Sequence, residues 1–264
     1  MVEISVQNEG HVRTITLNRP EKKNALSDSL AWGIIGAIEQ AADDDDVWVI
    51  AITGTGDAFC SGLDLSGAGE QAQPMSPQAM QLDDLGWVSR FLYTLREECD
   101  KPIVAGINGV AVGAGLSLAL GADIRLIQRS ARLMAGYPRI GASPDGGMTF
   151  TLSQAVGYEQ AMRFLLENRT VMGEEAVAMG LAGELVEDGE MESRLAEYCQ
   201  FLAQRSPITM RLSKRGLRRA TTAIDLRDQL RYELQNIRRA FESEDAKEAR
   251  EAFFEKREPV FTGR

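Results

Sequence analysis

One histidine, three cysteines and no long apolar run set the first limits on this chain of 264 residues. With His11 as the only imidazole, no obvious base is left for a serine or cysteine nucleophile. Cys60, Cys99 and Cys199 lie far apart, so no zinc-ligand spacing can be assembled and no metal is expected. The same three cysteines cannot form a disulfide framework and suit the reduced thiols of a cytoplasmic protein. No apolar run reaches the ~18 residues of a membrane span. The opening MVEISVQNEG lacks a signal-peptide pattern, so no membrane partner is expected. Positive charge is in deficit: 29 Lys and Arg stand against 39 Asp and Glu, a formal net charge of −10. That balance argues against a general nucleic-acid binder, though not against an acidic ligand held by a local basic patch.

Common site fingerprints are missing as well. The run Gly113-Ala114-Gly115-Leu116-Ser117-Leu118 fails the dinucleotide pattern at its third glycine, and no phosphate-loop G-x-x-x-x-G-K-[ST] occurs. Gly141-Ala142-Ser143-Pro144-Asp145 misses the nucleophile elbow G-x-S-x-G at its last position.

What is present centres on IVAGINGVAVGAGLSLALGADIRLI, residues 103–127. An apolar run after Pro102, the turn dipeptide Asn108-Gly109 and a second short run lead into Gly113-Ala114-Gly115. The small-residue segment from Leu116 to Leu120 then reads as a buried helix ending at Gly121. A strand entering a helix through Gly-Ala-Gly lets the main chain approach a ligand and aims unpaired N–H groups at it. The same pattern also serves a tightly packed strand–helix turn with no ligand, and both readings stand at this point.

Around this centre the chain reads as one α/β unit. Val2, Ile4 and Val6 alternate with polar residues as a half-buried strand, and residues 12–17 return as a second one, leaving His11 on the solvent side of the hairpin. Ser27 can cap a helix marked by Leu30, Ile34 and Ile38, and residues 43–46 read as a solvated acidic turn. Residues 47–52 form the continuous apolar run of a buried parallel strand. The loop TGTGDAFCSGLDLSG, residues 53–67, follows where open α/β folds place ligands. Ser76-Pro77 opens a long helix striped by Leu85, Val88, Leu92 and Leu95. Residues 132–135 read as a strand and 137–147 as a Gly- and Pro-rich loop carrying Asp145. Helices over 148–156, 158–167 and 174–179 and a strand over 184–186 complete the core. From Met191 onward the pattern is helical, with a strong apolar stripe from Leu226 to Phe241. On the helix before that stripe, Arg211, Lys214, Arg215 and Arg218 share one face, which is either a solvated or interface surface or a nucleic-acid patch.

Two Gly-containing loops offering backbone donors, together with one carboxylate and no nucleophile, suit stabilisation of an enolate-like oxyanion. Three segments then carry a resemblance: AFCSGLDL (58–65), INGVAVGAGLSLALGADIRL (107–126) and the SPDGG loop (143–147). In order and spacing they resemble the crotonase superfamily of enoyl-CoA hydratases and isomerases. The likeness extends from NRPEKKNAL near residue 18 to FFEKREPVF near the C-terminus. It implies an α/β fold built as a spiral of repeated ββα units over residues 1–195, and a helical C-terminal extension, 196–264, that builds a homotrimer or a dimer of trimers. It also implies an acyl-CoA thioester as substrate, so that coenzyme A enters with the substrate and no separate cofactor is needed.

The resemblance assigns the oxyanion hole to the backbone N–H groups of Leu63 and Ala114. Lys22, Lys23 and Ala58 fall where the family holds coenzyme A. Phe254 and Lys256 or Arg257 fall where the tail, often a neighbour's, covers the nucleotide. Where the hydratases carry two glutamates to activate water, this chain has Ser117 and Tyr137. Chlorobenzoyl-CoA dehalogenases place an aspartate nucleophile at Asp145, but a tryptophan and a histidine where this chain has Tyr137 and Arg90. Double-bond isomerases place a single acid in the same loop, and Asp145 fits that pattern. Hydration, other crotonase-type chemistry or a non-catalytic CoA- or RNA-binding role are the alternatives. Helix capping is the alternative for Asp145 itself. Met80, Leu82, Trp87 and Phe91 are expected to line or support the acyl pocket.

Overall fold

The computed structural model describes residues 3–66 and 76–264, so Val2 and Gly67 of the segments above lie outside the described residues. In chain order the elements are β1 (Ile4–Glu9), β2 (Val12–Leu17), α1 (Asp28–Asp43), β3 (Val49–Gly54) and β4 (Ala58–Cys60). Then come α2 (Pro77–Leu82), α3 (Gly86–Tyr93), β5 (Ile103–Ile107), β6 (Val110–Val112), α4 (Ala114–Gly121), β7 (Ile124–Gln128) and β8 (Arg132–Met134). The short α5 (Tyr137–Ile140) precedes α6 (Met148–Val156), α7 (Tyr158–Glu167), β9 (Val171–Met172), α8 (Gly173–Met179) and β10 (Glu184–Val186). The C-terminal part holds α9 (Met191–Ala203), α10 (Pro207–Ala220), α11 (Leu226–Phe241) and α12 (Glu244–Glu255).

The strands form two sheets, ordered β1-β2-β3-β5-β7-β10 and β4-β6-β8-β9. Each turn of the chain gives one strand to each sheet: β3 and β4, then β5 and β6, then β7 and β8. Within each sheet those successive strands pair in parallel. This is the expected ββα spiral. The parallel strands β3 and β5 are buried and apolar because helices or the second sheet cover both their faces. Met191, Leu195, Cys199 and Ala203 of α9 complete a second core cluster with Val49, Ala51 and Val104. The junction between residues 195 and 196 therefore falls inside a helix that packs on the large sheet. No helix among the described residues is long and apolar enough to cross a membrane.

Several expectations are corrected by local chemistry. The helix striped by Leu85 to Leu95 is broken: α2 ends at Leu82, and α3 begins at Gly86. Asp83 causes the break, its carboxylate accepting from the backbone N–H of Gly86 at 3.0 Å while pairing with Arg90. Past Tyr93 the helix widens into a π-turn over Thr94–Glu98. The Gly- and Pro-rich loop after β8 contains the single turn α5. His11 does not stand free in solvent; its ring stacks on Trp48 with centroids 3.7 Å apart. The acidic turn is only partly solvated, because Asp44 pairs with Arg13 at 2.7 Å.

Candidate active site

The site grows from the β6–α4 junction. Gly113 adopts φ 54°, ψ −126°, a conformation closed to side-chain-bearing residues, and from there the chain turns directly into α4. All eight residues of α4 are buried. Gly115 permits this position: a Cβ there would collide with the Cys60 carbonyl and lie 2.7 Å from Cys60 Sγ. The start of α4, with its unpaired first-turn N–H groups, is thereby pressed against the end of β4.

The facing loop approaches from the other side. A Cβ on Gly62 would lie 2.7 Å from the Val112 carbonyl oxygen and 3.7 Å from Ala114 N. Leu26 brackets Leu63 in a parallel bridge, with Leu26 N donating to Gly62 O at 2.7 Å and Asp64 N donating to Leu26 O at 3.0 Å. Alternation along the extended backbone then turns the Leu63 N–H away from Leu26. Asp64 anchors this loop. Its carboxylate accepts from Ser66 Oγ at 2.6 Å and from Arg19 Nη2 at 2.9 Å, and these bonds hold it far below the usual carboxylate range. Arg19 also donates to the Ala25 carbonyl at 2.6 Å and pairs with Glu3 at 3.1 Å.

Asp145 arrives on the SPDGG loop, squeezed between α4 and α3. A Cβ on Gly146 would lie 3.1 Å from Ser117 Cβ, and one on Gly147 would run into Leu92. The backbone carbonyl of Asp145 accepts from Ser117 Oγ at 3.1 Å and from Met148 N at 3.0 Å. The carboxylate does not cap α6, whose N-cap is Gly147 with no side-chain cap. It accepts instead from Tyr137 Oη at 3.0 Å. Ser117 is fully buried and lies one helical turn beyond Ala114, so its bond to the Asp145 carbonyl ties the SPDGG loop to the first turn of α4. Tyr137 is nearly buried, and that burial pushes its phenol up to about 12, leaving it a neutral donor. The hydroxyl's role towards Asp145 is not encoded in any spacing of the sequence.

The remaining candidates are distributed less evenly. Lys22 donates to Ser66 Oγ at 2.9 Å, and Lys23 pairs with Asp57; both are exposed beside the Leu63 loop. Ala58 is buried, and its carbonyl already accepts from Asn24 at 2.8 Å and Asn108 at 3.2 Å, which makes it a brace of that loop. Phe254 is exposed on α12, and Lys256 ends that helix in the left-handed conformation. Arg257 is engaged by Glu248 and Glu255. The tail beyond it returns to Asp245, which accepts from Thr262 N at 2.8 Å, and Gly263 packs near Trp48. Trp48 precedes β3, at the opposite end of the sheet from the loops that carry Leu63 and Lys23. Of the expected acyl-pocket residues, Phe91 is core, Trp87 is half-buried against the core, and Met80 and Leu82 are exposed.

The basic face of α10 is occupied internally. Lys214 donates to the carbonyls of Leu95 and Lys101 and pairs with Asp123 at 2.8 Å. Arg215 pairs with Asp100, and Arg218 donates to the Arg96 carbonyl at 2.6 Å. These cations cap the carbonyl end of the π-turn, which leaves little of the face for a nucleic acid.

A family model described as enoyl-CoA hydratase/isomerase matches residues 7–264. The 1,2-epoxyphenylacetyl-CoA isomerase of Escherichia coli K12 is 34% identical over 260 residues, 97% of each chain. The 2,3-dehydroadipyl-CoA hydratase of the same organism is 30% identical over 266 residues, the full length of both. Among solved structures, an enoyl-CoA hydratase from Bacillus anthracis superposes with a TM-score of 0.87 at 29% identity, covering 99% of this chain and 100% of that one.

Proposed function

Because this chain belongs to the enoyl-CoA hydratase/isomerase family, whose members act on CoA thioesters, we propose that it moves a double bond from the β,γ to the α,β position of an enoyl-CoA. The observation that carries this reading is the Asp145 carboxylate, held by Tyr137 rather than spent on a helix cap, on a loop that Ser117 ties to α4.

The Leu63 and Ala114 N–H groups bind the thioester oxygen and acidify the carbon next to the carbonyl. Asp145 takes a proton from that carbon. The C–H electrons pass into a dienolate whose charge rests on the bound oxygen. The carboxylic acid then returns its proton to the γ carbon and is a carboxylate again. One acid suffices because both transfers occur on one face. Ser117 and Tyr137 stand where the hydratases carry their water-activating glutamates, and neither hydroxyl supplies a carboxylate base.

Lys22 and Lys23 bind the phosphates of the CoA moiety on this reading, with Ala58 shaping the loop between them. Phe254, Lys256 and Arg257 serve a neighbouring subunit of a homotrimer or dimer of trimers, since the tail is anchored at the far end of its own sheet. Residues 1–195 form the catalytic core and 196–264 the assembly region. A panel of β,γ- and α,β-enoyl-CoA esters tests the reaction. The expected result is rapid isomerisation of β,γ-esters with poor hydration of crotonyl-CoA; efficient hydration with no isomerisation contradicts it.

A further inference from the structure

Resting on the reading of Asp145 as the acid/base, we propose that Tyr137 is a positioning residue: its hydroxyl fixes Oδ1 of Asp145, so that Oδ2 performs both proton transfers. The carboxyl group of an aspartate turns about a broad torsion, and Asp145 is followed by two glycines with φ of 57° and 75°. Neither its own side chain nor the following backbone fixes its direction. Two buried hydroxyls do. Ser117 Oγ holds the Asp145 main-chain carbonyl at 3.1 Å, and Tyr137 Oη holds Oδ1 at 3.0 Å.

The phenol is itself well fixed. It is 6% exposed, it opens a short helix whose N-cap is Gly136, and the Gly136 N–H is held by Asn168 Oδ1 at 2.7 Å. Among the described residues, only Tyr137 hydrogen-bonds to this carboxyl group. Of the charged side chains on the neighbouring elements, Arg90 of α3 is paired with Asp83 and Arg139 of α5 is exposed; α4 contributes the neutral Ser117, and α6 has no titratable side chain.

A phenol has one proton to donate. Given to Oδ1, it lowers the basicity of that oxygen and leaves Oδ2 to accept the proton from the α carbon. The new O–H bond forms as the C–H bond breaks. It breaks in turn as the γ C–H bond forms, and Tyr137 keeps its own proton throughout. A carboxyl group that could not turn would present one oxygen to both carbons. The hydroxyl that stands in place of a water-activating glutamate would thus equip the site for an internal proton shift.

Tyr137→Phe tests this, because it keeps the ring and removes only Oη. The expected result is a kcat lower by roughly 10- to 100-fold with KM within about twofold. The ¹³C resonance of the Asp145 carboxyl carbon, identified as the one that Asp145→Asn removes, should move at neutral pH when the Oη donor is lost. Replacing Tyr137 with 3-fluorotyrosine, a stronger donor of nearly the same shape, should move that resonance the opposite way and serves if the Phe variant does not fold. Wild-type kcat together with an unmoved resonance overturns the proposal, even with Asp145→Asn inactive. Normal isomerisation by Asp145→Asn instead overturns the acid/base reading. The carboxyl resonance still decides whether Tyr137 holds Asp145 in that case.

Discussion

Gly113, Gly115 and Gly62 each do something a side chain would prevent, and together they let the Leu63 loop and the start of α4 come close. That close approach was legible, because glycine spacing is a direct statement about backbone approach. The Tyr137–Asp145 bond was not, since eight residues of Gly- and Pro-rich chain give no direction for a hydrogen bond. The capping alternative for Asp145 fails for the same local reason: Gly147 occupies the cap in the left-handed conformation. Ala114→Pro is a clean probe of the donor, because proline is tolerated at the first position of a helix and lacks the N–H. Turnover should fall by about 100-fold or more with the melting temperature little changed, and full turnover in the folded variant contradicts the backbone hole.

Asp64 gives a pH-dependent prediction. Its carboxyl is held below the ordinary range by Ser66 and Arg19. A group depressed in the folded state contributes stability above its unfolded value, near pH ~4, and that contribution is lost as pH falls further. Asp64→Asn should therefore flatten the acid-unfolding curve below about pH 4 and lower turnover at neutral pH by loosening the Leu63 loop. An unchanged acid limb contradicts the clamp.

At the scale of elements, β3, β5, β6 and α4 were readable from apolar runs and turn residues. The division of the strands into two sheets followed only from the family resemblance, because the parallel partners are distant in sequence. The break between α2 and α3 was hidden by a helical stripe that continues across it; Asp83 decides the matter through hydrogen bonds, not hydrophobicity. The α10 face shows the same lesson. Arg211, Lys214, Arg215 and Arg218 share a face in sequence, but the Leu95 and Arg96 carbonyls and the Asp100 carboxylate that receive three of them lie more than a hundred residues away. Lys214 is 8% exposed, and its loss would leave Asp123 without its cation. Lys214→Met should cost about 3–5 kcal/mol in denaturant unfolding. A loss of less than about 1 kcal/mol would show the seam to be dispensable.

For the whole molecule, the C-terminal helices leave more apolar surface in water than a lone chain favours. Leu226 is 72%, Leu230 54% and Phe241 60% exposed along one side of α11, and Phe253 and Phe254 stand out on α12. The expected solution state is an oligomer built on these helices, and light scattering of a monomer at micromolar concentration contradicts it. Removing residues after Glu242 should weaken CoA binding in the assembled enzyme, because Phe254 and Lys256 are lost with the tail. Equal affinity in the truncated oligomer would remove the tail from the site.

The central claim concerns one carboxyl group, and one substitution isolates it. Asp145→Asn keeps the shape and an acceptor for Tyr137 Oη but has no basic oxygen. The measurement is β,γ- to α,β-enoyl-CoA isomerisation by this variant and by the wild type, with melting temperatures recorded in parallel. The account predicts a fall of at least ~100-fold with little change in melting temperature. Isomerisation at the wild-type rate by the folded Asn variant would contradict it.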